Sequence, residues 1–549
     1  MNRTQRHNLD ELAATTYDLL IVGGGINGAG IAREAAMRGL KVVLIEKNDF
    51  AFGTSSRSTK LAHGGLRYLE TREFSLVRES LRERGILMNT LAPHLVKPMP
   101  FWVPFHESDQ RPAWMVKVGL WIYDVLAFGS SIQRHRSFSK SEALRLEPSL
   151  AAEGFKGAAQ YWDCQMNDAR LVLENILDAE RFGARCLNYT GLLSCQRLAS
   201  GAVRALLRDE EAEREAELSA SWVINAAGPW VDSVLGLLGR SLAFAAVKPT
   251  KGVHLVTRPL TKKHALLVPA RGDSRVFFII PASYGGRAAS LIGTTDTDFY
   301  GDKDHVLADP QDVEYLLSQV RRVLPSADLK TSDIWASYAG LRPLSAPDKD
   351  AAGNSKISRE SQILEQDGLL SLTGGKFTTY RCLAEKTVNR VAALLKLQLK
   401  SSFSANTPLP GAPKSPADWE LLNSGAPGLA EAYGVSLESA EYLLSLYGVS
   451  ATAVLEMTRE DPDLKNPVAP GSPAILAQVV YAARHEKAEH LVDFYLRRTF
   501  LGLELEPDHF GVELVASCMG AELNWNRERE ADELEHLKQV IEGEYRISI

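Results

Sequence analysis

Residues 17–46, YDLLIVGGGINGAGIAREAAMRGLKVVLIE, decide how the rest of the chain is read. The run Leu19-Leu20-Ile21-Val22 has the length and apolar character of a buried parallel strand. Gly23, Gly25 and Gly28 follow in G-x-G-x-x-G spacing, and a helix-compatible segment leads to a second apolar run, Val42-Val43-Leu44-Ile45. Gly23 suits the tight turn, Gly25 lets the backbone approach a pyrophosphate, and Gly28 lets helix and strand pack closely. The helix start, with Asn27 on its first turn, offers free N–H groups and partial positive charge to phosphates. Glu46 closes the unit and is placed to accept from ribose hydroxyls, which favours FAD or NAD over NADP. The glycines alone do not choose between those two.

Working outward, the 549 residues leave room for two or three domains. A hydrophobic content of 45% and a charged content of 24% describe an ordinary soluble globular protein. The net charge of −6, with no basic stripe, argues against nucleic acid as a partner. Five cysteines without a C-x-x-C pair argue against a disulfide framework or a metal site and fit a reducing, cytoplasmic compartment. The lead MNRTQRHNLDELAATTYD has no apolar signal region, and no run of eighteen apolar residues predicts a spanning helix.

After Glu46, residues 47–70 are rich in Gly, Ser and Thr and predict a loop lying along a cofactor. Residues 71–98 carry a helical pattern. The segment WMVKVGLWIYDVLAFG, 114–129, predicts an apolar helix, either buried or lying against a membrane surface. Residues 168–182 predict a helix, and 184–225 predict strands around a charged hairpin. The strand Trp222–Asn225 runs into a small-residue turn at Ala226-Ala227-Gly228, with Trp230 just beyond. Residues 276–281 and 290–296 predict a β-hairpin, and 309–324 an amphipathic helix. LLSLTGGKFTTYR, 369–381, is another strand running through glycines into a helix, a second candidate anion site. Residues 401–416 read as a linker, and 417–549 as a separate helical domain.

Seven segments together carry a resemblance: GGGINGAGIA (23–32), TSSRSTKLAHGGLRYLE (54–70), RPAWMVKVGLWIYD (111–124), NAAGPWVD (225–232), IGTTDTDFYGD (292–302), YAGLRPL (338–344) and TGGKFTTYR (373–381). The chain resembles the FAD-dependent glycerol-3-phosphate dehydrogenases along nearly its whole length, with Ala62 where the family usually has a larger aliphatic residue. The resemblance implies an α/β chain with a Rossmann-type, glutathione-reductase-like FAD domain (17–85, 155–240 and 335–400). Beside it would lie a β-sheet substrate domain (86–154 and 241–334), then the linker and the helical domain. It implies FAD as cofactor, sn-glycerol 3-phosphate as substrate, dihydroxyacetone phosphate as product and a membrane quinone as acceptor. Peripheral attachment to the inner face of the cell membrane follows from that acceptor, and a homodimer is among the expected assemblies.

The cofactor is expected on Gly23, Gly25, Asn27, Gly28, Glu46, Lys47, Thr54, Ser55, Ser56, Lys60, Leu61, His63 and Gly64. Ala227, Gly228, Trp230, Gly375, Lys376, Phe377 and Thr378 complete that set. Oxidising a secondary alcohol needs a base for the hydroxyl proton, and histidine is well matched near neutral pH. His63 is the first candidate and His254 the second. Arg342, Arg67, Arg359 and Lys376 are candidates for the phosphate, with Tyr68 closing over the substrate. Arg342 and Lys376 are also expected to act in catalysis. The nearest competitors are an oxygen-using glycerophosphate oxidase, an amine oxidase of the same flavin fold and a non-catalytic redox-sensing flavoprotein. The oxidases carry an insertion of about fifty residues that has no counterpart in this sequence.

Overall fold

The computed structural model describes residues 9–109, 111–237, 245–270, 275–345, 348–349, 355–356, 361–366, 368–503 and 511–547. Among the described residues the strands gather into two large sheets, of eight and ten strands, with helices on and beyond them. The strand Thr16–Val22 lies at the centre of the first sheet. It runs parallel to Arg214–Asn225 on one side and to Val42–Ile45 on the other. Leu369–Thr373 adds a further parallel strand beyond Arg214–Asn225. Strands buried on both faces read as continuous apolar runs, which is why Leu19–Ile21 and Val42–Ile45 are fully buried. The fingerprint helix Ile26–Met37 covers this sheet and packs between helices Asp168–Arg181 and Tyr380–Leu394.

The second sheet is mostly antiparallel. Val247–Thr257 pairs with Arg287–Gly293 and, along its other edge, with Ile334–Ser345. Val96–His106 pairs with Phe155–Met166. The expected boundaries change accordingly: Phe155–Met166 and Ile334–Ser345, assigned above to the cofactor domain, are strands of the second sheet. Their alternation specifies a strand and its faces, but pairing partners come from remote chain, so local sequence does not say which sheet they join.

The stretch 401–416 is a packed strap, not a free linker. Ser404 and Leu409 are buried. Arg33 of the fingerprint helix donates to the carbonyls of Ser404 and Thr407, the latter at 2.7 Å. Arg38 donates to the Lys400 carbonyl at 2.8 Å. Proline- and serine-rich composition signals irregular backbone; it does not forbid packing.

Beyond the strap, helices such as Leu437–Tyr447, Leu476–His485 and Arg527–Val540 form the C-terminal part. Its segment 485–499 is tied by buried polar contacts to the loops and the helix Asp168–Arg181 beside the first sheet. Asp49, fully buried, accepts two N–H groups from Arg498 and one from Arg497. Tyr189 donates to Asp493 at 2.6 Å, and Arg170 donates to Glu486 at 2.6 Å.

Candidate active site

At the carboxyl ends of the parallel strands the fingerprint turn forms a cradle. Gly23 has φ +111°, and a Cβ there would stand 2.7 Å from the Ala226 carbonyl oxygen. A Cβ on Gly28 would lie 1.9 Å from the Gly23 carbonyl oxygen, so only glycine lets helix and turn approach this closely. The helix begins at Gly25 without a side-chain cap of its own. The Ile26 N–H donates to Ser55 Oγ at 3.0 Å, so the loop 47–70 supplies the cap that Gly25 lacks. The Glu46 carboxylate accepts from the Gly24 N–H at 2.7 Å and the Asn48 N–H at 2.9 Å. Burial pushes its pKa up despite those bonds.

A cavity of about 570 Å³ runs from this cradle along the loop and the Ala227–Trp230 turn to the second glycine turn. Of the expected cofactor residues, Gly23, Gly25, Asn27, Glu46, Lys47, Thr54, Ser55, Leu61 and His63 line it. So do Ala227, Gly228, Trp230, Gly375, Lys376, Phe377 and Thr378. The volume and the cradle that a Cβ would fill fit a dinucleotide. Gly28, Ser56, Lys60 and Gly64 are not on the wall. Gly28 acts from beneath through the helix–turn contact just given. Gly64 donates its N–H to Tyr123 Oη and Asp163. Lys60 points away from the cavity because a buried carboxylate holds it. Its Nζ is 2.6 Å from Asp168 Oδ1 and 3.0 Å from the Ser56 carbonyl oxygen.

A second, smaller cavity of about 160 Å³ adjoins the first, and Thr59, Leu61, His63, Tyr68 and Arg342 line both. Three arginines and two aspartates, Asp163 and Asp296, are on its wall. Arg67 and Arg275 face it beside Arg342. Arg342 donates to Asp296 Oδ1 at 3.1 Å and to Thr294 Oγ1 at 3.1 Å. Lys376 lines the large cavity, its ammonium 3.6 Å from the centre of the Tyr68 ring. Expected Arg359 lies outside the described residues.

The two histidines differ. His63 sits at the junction of the cavities, its backbone N–H held by Thr378 Oγ1 at 3.1 Å. His254 lines only the larger one, with Nε2 2.9 Å from Thr59 Oγ1 and its ring stacked on Tyr338. Burial, reinforced by Arg342 and Lys60, pushes the His254 pKa well below its ordinary value, so the ring is neutral near pH 7.

Several residues of the smaller cavity escaped sequence reasoning: Thr59, Arg275, Asp296 and Asp163. Arg275 directly precedes the apolar strand VFFIIP, and Asp296 lies in the IGTTDTD segment, so both had a local signal. Asp163 had none. It is buried, takes the Tyr123 O–H at 2.8 Å and Arg84 Nη1 at 2.7 Å, and so braces the Gly64-Gly65 turn. Tyr123 belongs to the helix Ala113–Leu126, which buries Leu120 and Tyr123 inward. Outward it leaves Trp114, Trp121 and the neighbouring Phe128 at 67%, 62% and 93% exposure. Among the described residues no helix is long and apolar enough to cross a membrane.

Comparison with known proteins bears on the family and the fold. The family model described as FAD dependent oxidoreductase matches residues 18–380. The model for the C-terminal domain of alpha-glycerophosphate oxidase matches residues 402–530. A glycerol-3-phosphate dehydrogenase of Synechocystis sp. is 40% identical over 515 aligned positions, covering 90% of this chain and 91% of the relative. An alpha-glycerophosphate oxidase of Streptococcus pneumoniae is 34% identical over 594 positions, covering 96% of each. The solved glycerol-3-phosphate dehydrogenase of Bacillus halodurans, complexed with FAD, superimposes with a TM-score of 0.78 at 29% identity. It covers 98% of this chain and 96% of that one.

Proposed function

The chain belongs to the FAD-dependent glycerol-3-phosphate dehydrogenase family, and we propose that it passes the electrons taken from sn-glycerol 3-phosphate to a quinone rather than to oxygen. The observation that carries the substrate side is the small chamber, with three arginines on its wall, that opens past His63 onto the cofactor cavity. Bound FAD supplies a ring that accepts a hydride, and the protein supplies position, charge and a proton acceptor.

Planar guanidinium groups match phosphate oxygens in pairs. Arg342 and Arg275 would take the phosphate, with Arg67 and Lys376 closing around it. The carbinol carbon is then directed to the junction where the two cavities meet. His63, lining both, takes the hydroxyl proton as the carbon gives up its hydride. His254 stays neutral and orients Thr59 at that wall. Tyr68, flanking Lys376, helps to exclude water. The cofactor would be held at Glu46 by its ribose, at Gly25 by its phosphates, and at Gly375–Thr378 by its ring.

For the acceptor, alignment length supports the quinone. Against the oxidase, 594 positions cover 96% of this chain, so several dozen oxidase positions have no residue here. Against the dehydrogenase, 515 positions cover 90%, a far smaller excess. The exposed Trp114, Trp121 and Phe128 support lipid contact for the helix Ala113–Leu126 at the membrane that holds such a quinone. Anaerobic mixing with sn-glycerol 3-phosphate, followed at the flavin absorbance, tests the chemistry. Rapid bleaching, with slow peroxide formation when air is admitted, is expected; fast stoichiometric peroxide would overturn the quinone assignment.

A further inference from the structure

We propose that Asp163 is a positioning residue for the oxidation: through the hydroxyl of Tyr123 and the backbone of Gly64 it fixes where His63 stands against the carbinol carbon. This rests on the reading of His63 as proton acceptor given above. Asp163 lies on the strand Phe155–Met166, 2% exposed, on the wall of the smaller cavity. A bare carboxylate there would repel a phosphorylated substrate. Arg84, itself buried, donates to Oδ1 at 2.7 Å and cancels that charge. What the carboxylate keeps is its capacity to accept hydrogen bonds. The Tyr123 O–H lies 2.8 Å from each of its oxygens. The Gly64 N–H is shared between Asp163 Oδ1 at 3.2 Å and Tyr123 Oη at 3.0 Å.

One buried carboxylate thus ties a strand and two helices to the turn that follows His63. Arg84 comes from the helix Phe74–Ile86 and Tyr123 from the helix Ala113–Leu126. Burial and the adjacent Asp163 charge push the Tyr123 pKa well above its ordinary value. The phenol therefore keeps its proton for Asp163 and offers a lone pair to the Gly64 N–H. The turn has no slack. A Cβ on Gly64 would stand 2.5 Å from Leu81 Cδ2, and one on Gly65, at φ +78°, would run into the Tyr68 ring. On its other side His63 is held through its backbone N–H by Thr378 Oγ1 at 3.1 Å. The arginines given the phosphate stand on other elements. Arg342 belongs to the strand Ile334–Ser345, and Arg275 directly precedes the strand Val276–Tyr284. Loosening the turn therefore displaces the proton acceptor and leaves the principal phosphate contacts in place.

The test uses the FAD-loaded enzyme, with anaerobic bleaching by sn-glycerol 3-phosphate followed per bound flavin over a range of substrate concentrations. Tyr123→Phe removes the hydroxyl and leaves the Asp163–Arg84 pair intact. It is expected to lower the limiting bleaching rate about tenfold, because small displacements of a reacting group cost rate steeply. The half-saturating concentration should change by less than about threefold, since the phosphate contacts remain. Asp163→Asn is expected to show the same split; if it does not fold, Tyr123→Phe decides alone. In a His63→Asn background, Tyr123→Phe should cost less than about twofold, because a residue acting through His63 has nothing left to place. An unchanged limiting rate in Tyr123→Phe overturns the proposal, and so does a tenfold loss that persists without His63. Bleaching of His63→Asn at the wild-type rate would instead sink the proton-acceptor reading on which the proposal rests.

Discussion

Replacing Asp49 with Asn removes one charge from a buried cluster while preserving shape. Asp49 is fully buried, three residues beyond Glu46, and its carboxylate is held by Arg497 and by both terminal nitrogens of Arg498. Breaking a buried pair by deleting one partner strands the other charge and costs about 3–5 kcal/mol. Arg497 keeps Asp493 and Arg498 keeps the Glu486 carbonyl, so the lower end of that range is expected. The shift in the native carboxyl's titration has the same origin and the same sign. Burial alone would raise its pKa, but Arg498 and Arg497 outweigh burial and hold it at about 2, against an ordinary 3.8. A depressed carboxyl pKa contributes stability that is complete above the ordinary value and is lost as pH falls through the folded one. Asp49 thus supplies about 2 kcal/mol at neutral pH, lost between pH 3.8 and about 2. Urea unfolding of Asp49→Asn, followed by flavin release, should show a loss of about 3 kcal/mol. Adding Arg498→Met should restore much of it, since removing a buried pair together is nearly neutral. A loss below about 1 kcal/mol, or strictly additive effects in the double variant, would refute the clamp.

Arg342→Ala should lower kcat/KM for sn-glycerol 3-phosphate about 100-fold, as expected for one lost charged contact, while FAD remains bound; near-normal turnover removes Arg342 from the phosphate site. His63→Asn should shift the rate profile so that activity demands higher pH, and an unchanged profile argues against its role as base. The depressed pKa of buried His254 means that it binds protons more readily unfolded. Stability should therefore be full above pH 6.5 and decline as pH falls below it. His254→Gln should flatten that part of the curve, and identical curves would count against it. Polar residues in place of Trp114, Trp121 and Phe128 should abolish binding to anionic vesicles, whereas retained binding would move the lipid contact elsewhere.

By itself, the sequence determined the fingerprint unit, because its signals are local. Four buried apolar residues make a strand, glycines permit the turn, and an acid ends the next strand within 46 residues of the start. The second glycine turn at Gly374-Gly375, the hairpin at 276–293 and the helices at 168–181 and 310–323 were legible for the same reason. Only tertiary structure decided which sheet Phe155–Met166 and Ile334–Ser345 join, since strand pairing is set by partners far away in the chain. It turned Lys60 toward Asp168 and away from the cofactor cavity, a choice made by a carboxylate 108 residues distant. It brought Arg498 to Asp49 across 449 residues, and seated Arg275 and Asp163 on the wall of the smaller cavity. Backbone conformation follows from neighbours along the chain; the pairing of a charge depends on where the fold places its counter-ion, which no short window of residues records.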